Sequence, residues 1–395
     1  MKKQTFSASI VMLLAASCGL IVANLYYAQP LVALISKDLN MAPAAAGLLV
    51  TMSQAGYGLG LLFVVPTGDM FESRKLIIAI TSLGIISLLG AAFAQNSAQF
   101  IAASLLIGIG SVAVQIIIPY AAGIAPQEIQ GRVVGYVMSG LLLGVMLARP
   151  LASIVTELTS WHYIFVISAV ILTLLMAVLY KMMPERKPTA TMSYGTLLSS
   201  MGKMFLTMPV LRRRAVYQAA LFSAFSLFWT VVPMYFMGDA YGMTQGHIAI
   251  FGLVGAAGVI AAPIGGRIAD KGVTKFKSAM AILTAAFGLF LPHLAGGRGT
   301  AEALLLAACA VVLDFGAIAS QVMGQRVIFS LGAQYRSRVN GVYMAAFFAG
   351  GAAGSALGGY VYASYGFYAA MWTGFALPVL AFLYLLTEPK GLYNK

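Results

Sequence analysis

Apolar residues in this chain run in long continuous blocks broken by short polar connectors. A helix needs about 20 such residues to cross a hydrocarbon core of about 30 Å. By that ruler the blocks near residues 8 to 34, 45 to 67, 76 to 94, 98 to 122, 133 to 156, 162 to 181, 214 to 237, 247 to 268, 278 to 296, 303 to 325, 339 to 362 and 367 to 387 are twelve candidate spans. Backbone polar groups inside lipid must be bonded within the protein, and these blocks are far longer than the roughly ten-residue alternating strands of a barrel. The expected fold class is an all-α integral membrane protein with twelve transmembrane helices. The start, "MKKQTFSASIVMLLAASC", has the basic and apolar character of a leader, but its apolar run continues through "GLIVANLYYAQPLVALI" and is expected to be a retained first span.

Composition sharpens this. Of 395 residues 61% are hydrophobic and 9% charged, against roughly 25% charged in soluble globular chains. A net charge of +13 would suit nucleic acid only on an aqueous domain, and no stretch is long enough to form one. Two cysteines, Cys18 and Cys309, both in apolar blocks, exclude a disulfide framework or a zinc site, so no metal is expected.

The connectors fix an orientation. With the N-terminus cytoplasmic, all but three of the 24 Lys and Arg fall on the cytoplasmic side; Lys37 and Arg298 lie outside and Arg149 lies within a span. Both termini are then expected inside, in a cell (inner) membrane. The longest connector divides the spans six and six, predicting an N-terminal bundle over 1–183, a cytoplasmic linker over 184–212 and a C-terminal bundle over 213–395. An amphipathic surface helix is expected in the linker around Leu197 to Leu206.

An internal repeat joins the halves. Shifted by 206 positions, "GRVVGYVMSGLLLGVMLARPLASIV" falls on "SRVNGVYMAAFFAGGAAGSALGGYV", matching Arg132 with Arg338, Gly135 with Gly341 and Gly144 with Gly350. "PTGDMFESRK" likewise echoes "GGRIADKGVTK". Two like-oriented six-span halves are a common plan of secondary transporters.

These residues resemble the major facilitator superfamily across nearly the whole chain. "GGRIADKG" is similar to its loop signature, with Gly266, Asp270 and Lys271 in place. "GDMFESRK" is a degenerate copy that keeps Asp69, Arg74 and Lys75 but has Met70 where a base is usual. The fifth-span signature of the drug and proton antiporters, G-x-x-x-G-P-x-x-G-G, is matched skeletally by "GVMLARPLAS". Gly144 and Ala148 stand in glycine places, Arg149 in the proline place and Pro150 one later; the repeat gives Gly350, Gly354 and Gly358 in span eleven. The fourth-span arginine of those antiporters is absent, with Ser104 at its position, so coupling to a gradient must be arranged differently. The resemblance implies alternating access, loop residues that hold the cytoplasmic side, and small residues that let spans approach and slide.

Charged groups deep in a bilayer are costly and face a bundle interior or a hydrated cavity. Arg149 lies roughly 24 Å along span five and Asp314 roughly 17 Å along span ten, both near the midplane. They are the natural functional pair. Two plainer readings stay open: Arg149 snorkelling or capping carbonyls freed by Pro150, and Asp314 making a structural interhelical bond. Polar groups elsewhere concentrate on a few spans: Asn24, Tyr27 and Gln29, then Gln54, Gln115, Gln218, Trp229, Gln321, Gln325 and Tyr343. In the superfamily arrangement spans one, four, seven and ten surround the central cavity, so this set reads as its lining. The alternative for each amide is an interhelical hydrogen bond worth on the order of 1 kcal/mol.

The expected function is proton-coupled efflux of a small organic compound, without a cofactor and with the proton gradient as energy source; no phosphate-binding loop is present. The expected partners are a small-molecule substrate and membrane lipid, not nucleic acid, with a monomeric protein. A carrier for a polar metabolite is the alternative within transport. A polytopic membrane enzyme is the alternative outside it, disfavoured because His162, His247 and His293 show no metal-ligand spacing and no nucleophile–base set appears.

Overall fold

The computed structural model describes residues 8–186, 193–239, 241–257, 261–270, 272–295, 297–332 and 335–389. Among them the chain is helical throughout: α1 Ala8–Ala23, α2 Val32–Asp38, α3 Leu48–Phe63, α4 Ser73–Ala92, α5 Ser97–Ser111, α6 Ala113–Ile124, α7 Gln130–Leu158, α8 Trp161–Met182, α9 Tyr194–Thr207, α10 Pro209–Met237, α11 Gln245–Ala256, α12 Ala261–Asp270, α13 Lys275–Phe290, α14 Thr300–Phe329, α15 Arg336–Tyr365 and α16 Phe367–Leu386. Among the described residues ten helical stretches are long and apolar enough to cross a membrane, and Ala8–Ala23 and Gln245–Gly255 are shorter apolar helices.

Those two shorter helices belong to the expected first and eighth spans; the first is interrupted rather than continuous, and the eighth is described over 241–257 and 261–270. In the first, α1 ends ahead of Pro30, which has no N–H to continue the ladder, and the segment Gln29–Leu31 is a single 3-10 turn leading into α2. Asn24 Nδ2 donates to the carbonyls of Leu20 and Ile21, satisfying groups that the break would orphan. The fourth span is likewise two helices, α5 and α6, meeting at Val112.

The helices before and after α9 pack as two sets, which touch along α3 with α15 and α7 with α11. Within each set the repeat reappears as a pair of close crossings. A Cβ at Gly144 would strike Gly19 on α1, and one at Gly354 would strike Ser223 on α10. Gly140 meets Ala15 and Gly350 meets Ala219 in the same way. Gly144, Gly350, Gly354 and Gly358 therefore seat α7 on α1 and α15 on α10 inside a half, while Ser355 and Gly359 on another face of α15 meet Gly47 across the halves.

Contact between the halves is concentrated at one end. There Gly47 lies against Ser355 and Gly359, and Thr51 Oγ1 donates to the Ala352 carbonyl at 3.1 Å. Gln245 Nε2 reaches the Pro30 carbonyl at 3.2 Å and Gly246 N reaches Glu157 Oε2 at 3.1 Å. Toward the other end, which carries the basic connectors, α3 and α15 stay close, a Cβ at Gly341 lying 3.9 Å from the Leu61 carbonyl oxygen. An apolar groove of ≈ 690 Å³ runs along α3 and α15 there, floored by Leu198, Met201 and Phe205 of α9. The basic-end turns of α7 are exposed on several sides, at Gly131, Arg132, Gly135, Tyr136 and Ser139. Helix α9 matches the expected amphipathic segment, burying Leu197, Met201 and Met204 on one side.

Candidate functional site

Where the halves meet, a cavity of ≈ 130 Å³ is lined from both sides, by Arg149, Gln115, Tyr26 and Tyr57 from the first half and by Asp314, Gln218, Gln321 and several phenylalanines from the second. Arg149 is 6% exposed. Its Nε donates to Gln29 Oε1 at 2.8 Å, and its guanidinium carbon lies 4.4 Å from the Trp229 ring centroid, 5.0 Å from Tyr26 and 5.1 Å from Phe225. Bringing a guanidinium out of water costs several kcal/mol. Three aromatic faces and one amide oxygen offset part of that, each face contributing about 2 kcal/mol when desolvated. The side chain neither snorkels to the surface nor bonds a carbonyl near Pro150; Pro150 instead packs on Gly252 of α11.

Asp314 does not touch Arg149: no N···O approach within 4.0 Å joins them. The Trp229 indole N–H donates to Asp314 Oδ1 at 3.0 Å while its ring face carries the guanidinium. The two buried groups thus border one cavity and meet one side chain, Arg149 over its ring face and Asp314 at its N–H edge. Chemically this arrangement offers a fixed cation, an acid and a flat apolar surface within one small volume.

The remaining expected lining divides. Gln115, Gln218 and Gln321 border the cavity. Gln115 Nε2 donates to Tyr57 OH at 2.9 Å, and Gln218 Nε2 to the Ala317 carbonyl at 3.2 Å, leaving Gln218 Oε1 without a protein partner. Asn24 and Tyr27 do not border it. Asn24 Oδ1 accepts from Ser168 Oγ on α8 at 2.6 Å, and Tyr27 is buried beside the same serine. Gln54 bonds Ser226 Oγ at 2.9 Å, tying α3 to α10 across the halves. Tyr343 OH donates to the Gln321 carbonyl at 3.4 Å, and Gln325 faces Asn340 at 3.5 Å. These are interhelical bonds rather than lining, because an amide signals that a partner is needed without saying on which side of the helix it stands.

Sequence reasoning passed over the aromatic wall. Phe222 stacks on Phe347 with centroids 3.6 Å apart, and Tyr57 lies 4.3 Å from Phe348. The signal was present: Phe222, Phe225 and Trp229 recur at three and four residues, one face of α10.

In the first half the loop around Glu72 and Arg74 is bonded within that half. Glu72 caps α4, accepting from the amides of Arg74 and Lys75 at 2.9 Å, and also accepts from the Arg186 amide. Partial burial alone would raise the Glu72 carboxyl. The amides of Lys75, Arg74 and Arg186, with the Arg74 charge, outweigh it and hold the pKa below its usual value. Arg74 pairs with Glu185 at the end of α8. Asp69 is within electrostatic reach of Arg338 on the other half and of Arg186. Gly266 lies in α12; the side chain of Asp270 and all of Lys271 fall outside the described residues.

A sequence model of the Major Facilitator Superfamily matches residues 11–330. The chain is 35% identical over 391 residues to the uncharacterized transporter YgaY of Escherichia coli O157:H7, covering 98% of this chain and 97% of that one. It is 32% identical to a probable transporter of Streptomyces coelicolor, over 90% of this chain and 81% of the other. Among solved structures, a D-xylose–proton symporter superposes with a TM-score of 0.77 at 17% identity, over 98% of this chain and 99% of that chain, a likeness of fold.

Proposed function

From the premise that the chain belongs to the Major Facilitator Superfamily and is a multi-pass membrane transporter rather than an enzyme, we propose that it exports a small organic compound in exchange for protons by alternating access. Twelve spans would cross a cell (inner) membrane with both termini and the basic end in the cytoplasm. The units are a bundle over 1–183, a linker over 184–212 and a bundle over 213–395. The protein works as a monomer in lipid, with no cofactor beyond the gradient.

One observation carries this reading: Arg149 and Asp314, one from each half and both far from the ends of their helices, border the same cavity. A carboxyl in such a place takes up and gives up a proton as its surroundings change, so occupation by cargo and by proton are linked. The aromatic wall suits an apolar body and the glutamines a polar end.

The test is transport into inverted membrane vesicles of a panel of labelled organic compounds, with and without a collapsed pH gradient. Accumulation of at least one compound that stops when the gradient is collapsed supports exchange. Equilibration unaffected by the gradient overturns proton coupling and favours the second reading, a facilitated carrier of a polar metabolite, which the three cavity glutamines support.

A further inference from the structure

Buried hydroxyls within helices normally bond back to a carbonyl of the preceding turn, as Ser17, Ser87 and Ser111 do here at 2.6 to 2.8 Å. Two hydroxyls on α7 do not. Ser153 Oγ and Thr156 Oγ1 are buried with no protein partner, and so are Arg149 Nη2 and Gln29 Nε2. Leaving a buried polar atom unpaired costs about 1–3 kcal/mol, and ordered water is the ordinary remedy.

Three of these four residues share one helix face. Arg149, Ser153 and Thr156 are spaced four and three residues apart, which sets them on one face of α7 over about 10 Å. Both ends of that face meet the segment from Gln29 to Asp38. Arg149 bonds Gln29 at one end. At the other, Thr156 shares a concavity of ≈ 570 Å³ on the far end of the molecule with Leu34, Lys37, Asp38 and His162. Residues on other faces of the same turns, Leu151, Ile154 and Leu158, are exposed and apolar.

We propose that Thr156, Ser153 and Gln29 line a single file of water leading from this concavity to Arg149, and that protons from outside reach the cavity of Asp314 by it. The inference rests on the proton-coupled reading and on the orientation given above. About 10 Å accommodates three or four waters at hydrogen-bond spacing. Arg149 stands at the inner end of the file, where its fixed charge opposes a passing hydronium while the cavity faces the basic end, so the gradient is not short-circuited. Asp38, His162 and Lys37 flank the mouth, with His162 Nε2 3.9 Å from Asp38 Oδ2.

The test uses silver ion, a water-sized cation that attacks thiols, applied outside intact cells carrying the full-length protein. Ser153→Cys and Thr156→Cys are compared with Leu151→Cys and Ile154→Cys. The unsubstituted protein, whose Cys18 and Cys309 are both buried, gives the baseline. After denaturation, thiols left unreacted are counted with a maleimide. Silver should protect positions 156 and 153 at least tenfold faster than 151 and 154, with 156 ahead of 153, and a bulky trimethylammonium thiol reagent should not reach 153. Equal rates at all four positions, or reaction at 156 alone, would eliminate the file; reaction of the bulky reagent at 153 would replace it with an open crevice. Because Ser to Cys is nearly isosteric, folding is checked simply by monodisperse purification. The readout needs neither substrate nor gradient. Its failure therefore removes the route and leaves proton coupling standing, whereas silver access without gradient-driven transport removes the coupling instead.

Discussion

Trp229 is the residue on which both buried charges depend, since its ring face carries the Arg149 guanidinium and its indole N–H holds Asp314. Two substitutions separate these roles. Trp229→Phe keeps an aromatic face and removes the donor; Trp229→Leu removes both. Transport should fall about tenfold in the first and below detection in the second, measured as initial rates in vesicles at equal protein. A double-mutant cycle of Arg149→Gln with Asp314→Asn, read as binding of a transported compound to purified protein, should show a coupling of about 1 kcal/mol or more. Strict additivity would mean that the two charges act apart. At the basic end, Glu72 predicts an acid sensitivity. Its folded pKa lies below the unfolded one, so the stability it contributes is present above the usual value of 4.5 and is lost as pH falls through the folded value. Thermal melts in detergent should therefore be less acid-sensitive below about pH 4.5 in Glu72→Gln than in the unsubstituted protein.

At the scale of helices, the glycines fall into two classes that substitution should distinguish. Gly144 packs α7 on α1 inside one half, where a larger side chain has no conformation that avoids the Gly19 backbone. Gly144→Val should cost about 3 kcal/mol, seen as a lowered melting temperature and poor yield. Gly47 packs against Ser355 and Gly359 across the halves, so the halves can part to accommodate a side chain. Gly47→Val should fold but shift the population away from the far-end-closed state, raising the labelling of a cysteine placed at Thr51. The long apolar helices, the repeat and the glycine register were legible in the chain, because lipid solvation acts on composition and needs no contacts. The helical phase was not. A helix such as α10, with residues buried on every side from Leu211 to Phe236, gives no apolar stripe from which to read direction. Arg149 and Asp314 could thus be singled out by depth alone. The tryptophan between them, and the diversion of Asn24 and Tyr27 toward α8, depend on rotation about the axis.

For the whole molecule, the proposed alternating access would have to rearrange the far-end contacts and the groove along α3 and α15 on either side of the central cavity. Helix α9 bridges the halves at the basic end: Tyr194 OH donates to the Phe63 carbonyl of the first half at 2.7 Å, and Arg338 of the second donates to Ser200 Oγ at 3.1 Å. The most direct measurement is gradient-driven accumulation in proteoliposomes of a compound identified in the vesicle panel, comparing the unsubstituted protein with Asp314→Asn at equal incorporation. An imposed pH gradient should drive accumulation above the external concentration in the first and none in the second. Full accumulation by Asp314→Asn would contradict the account, since the cavity would then couple to protons without its acid.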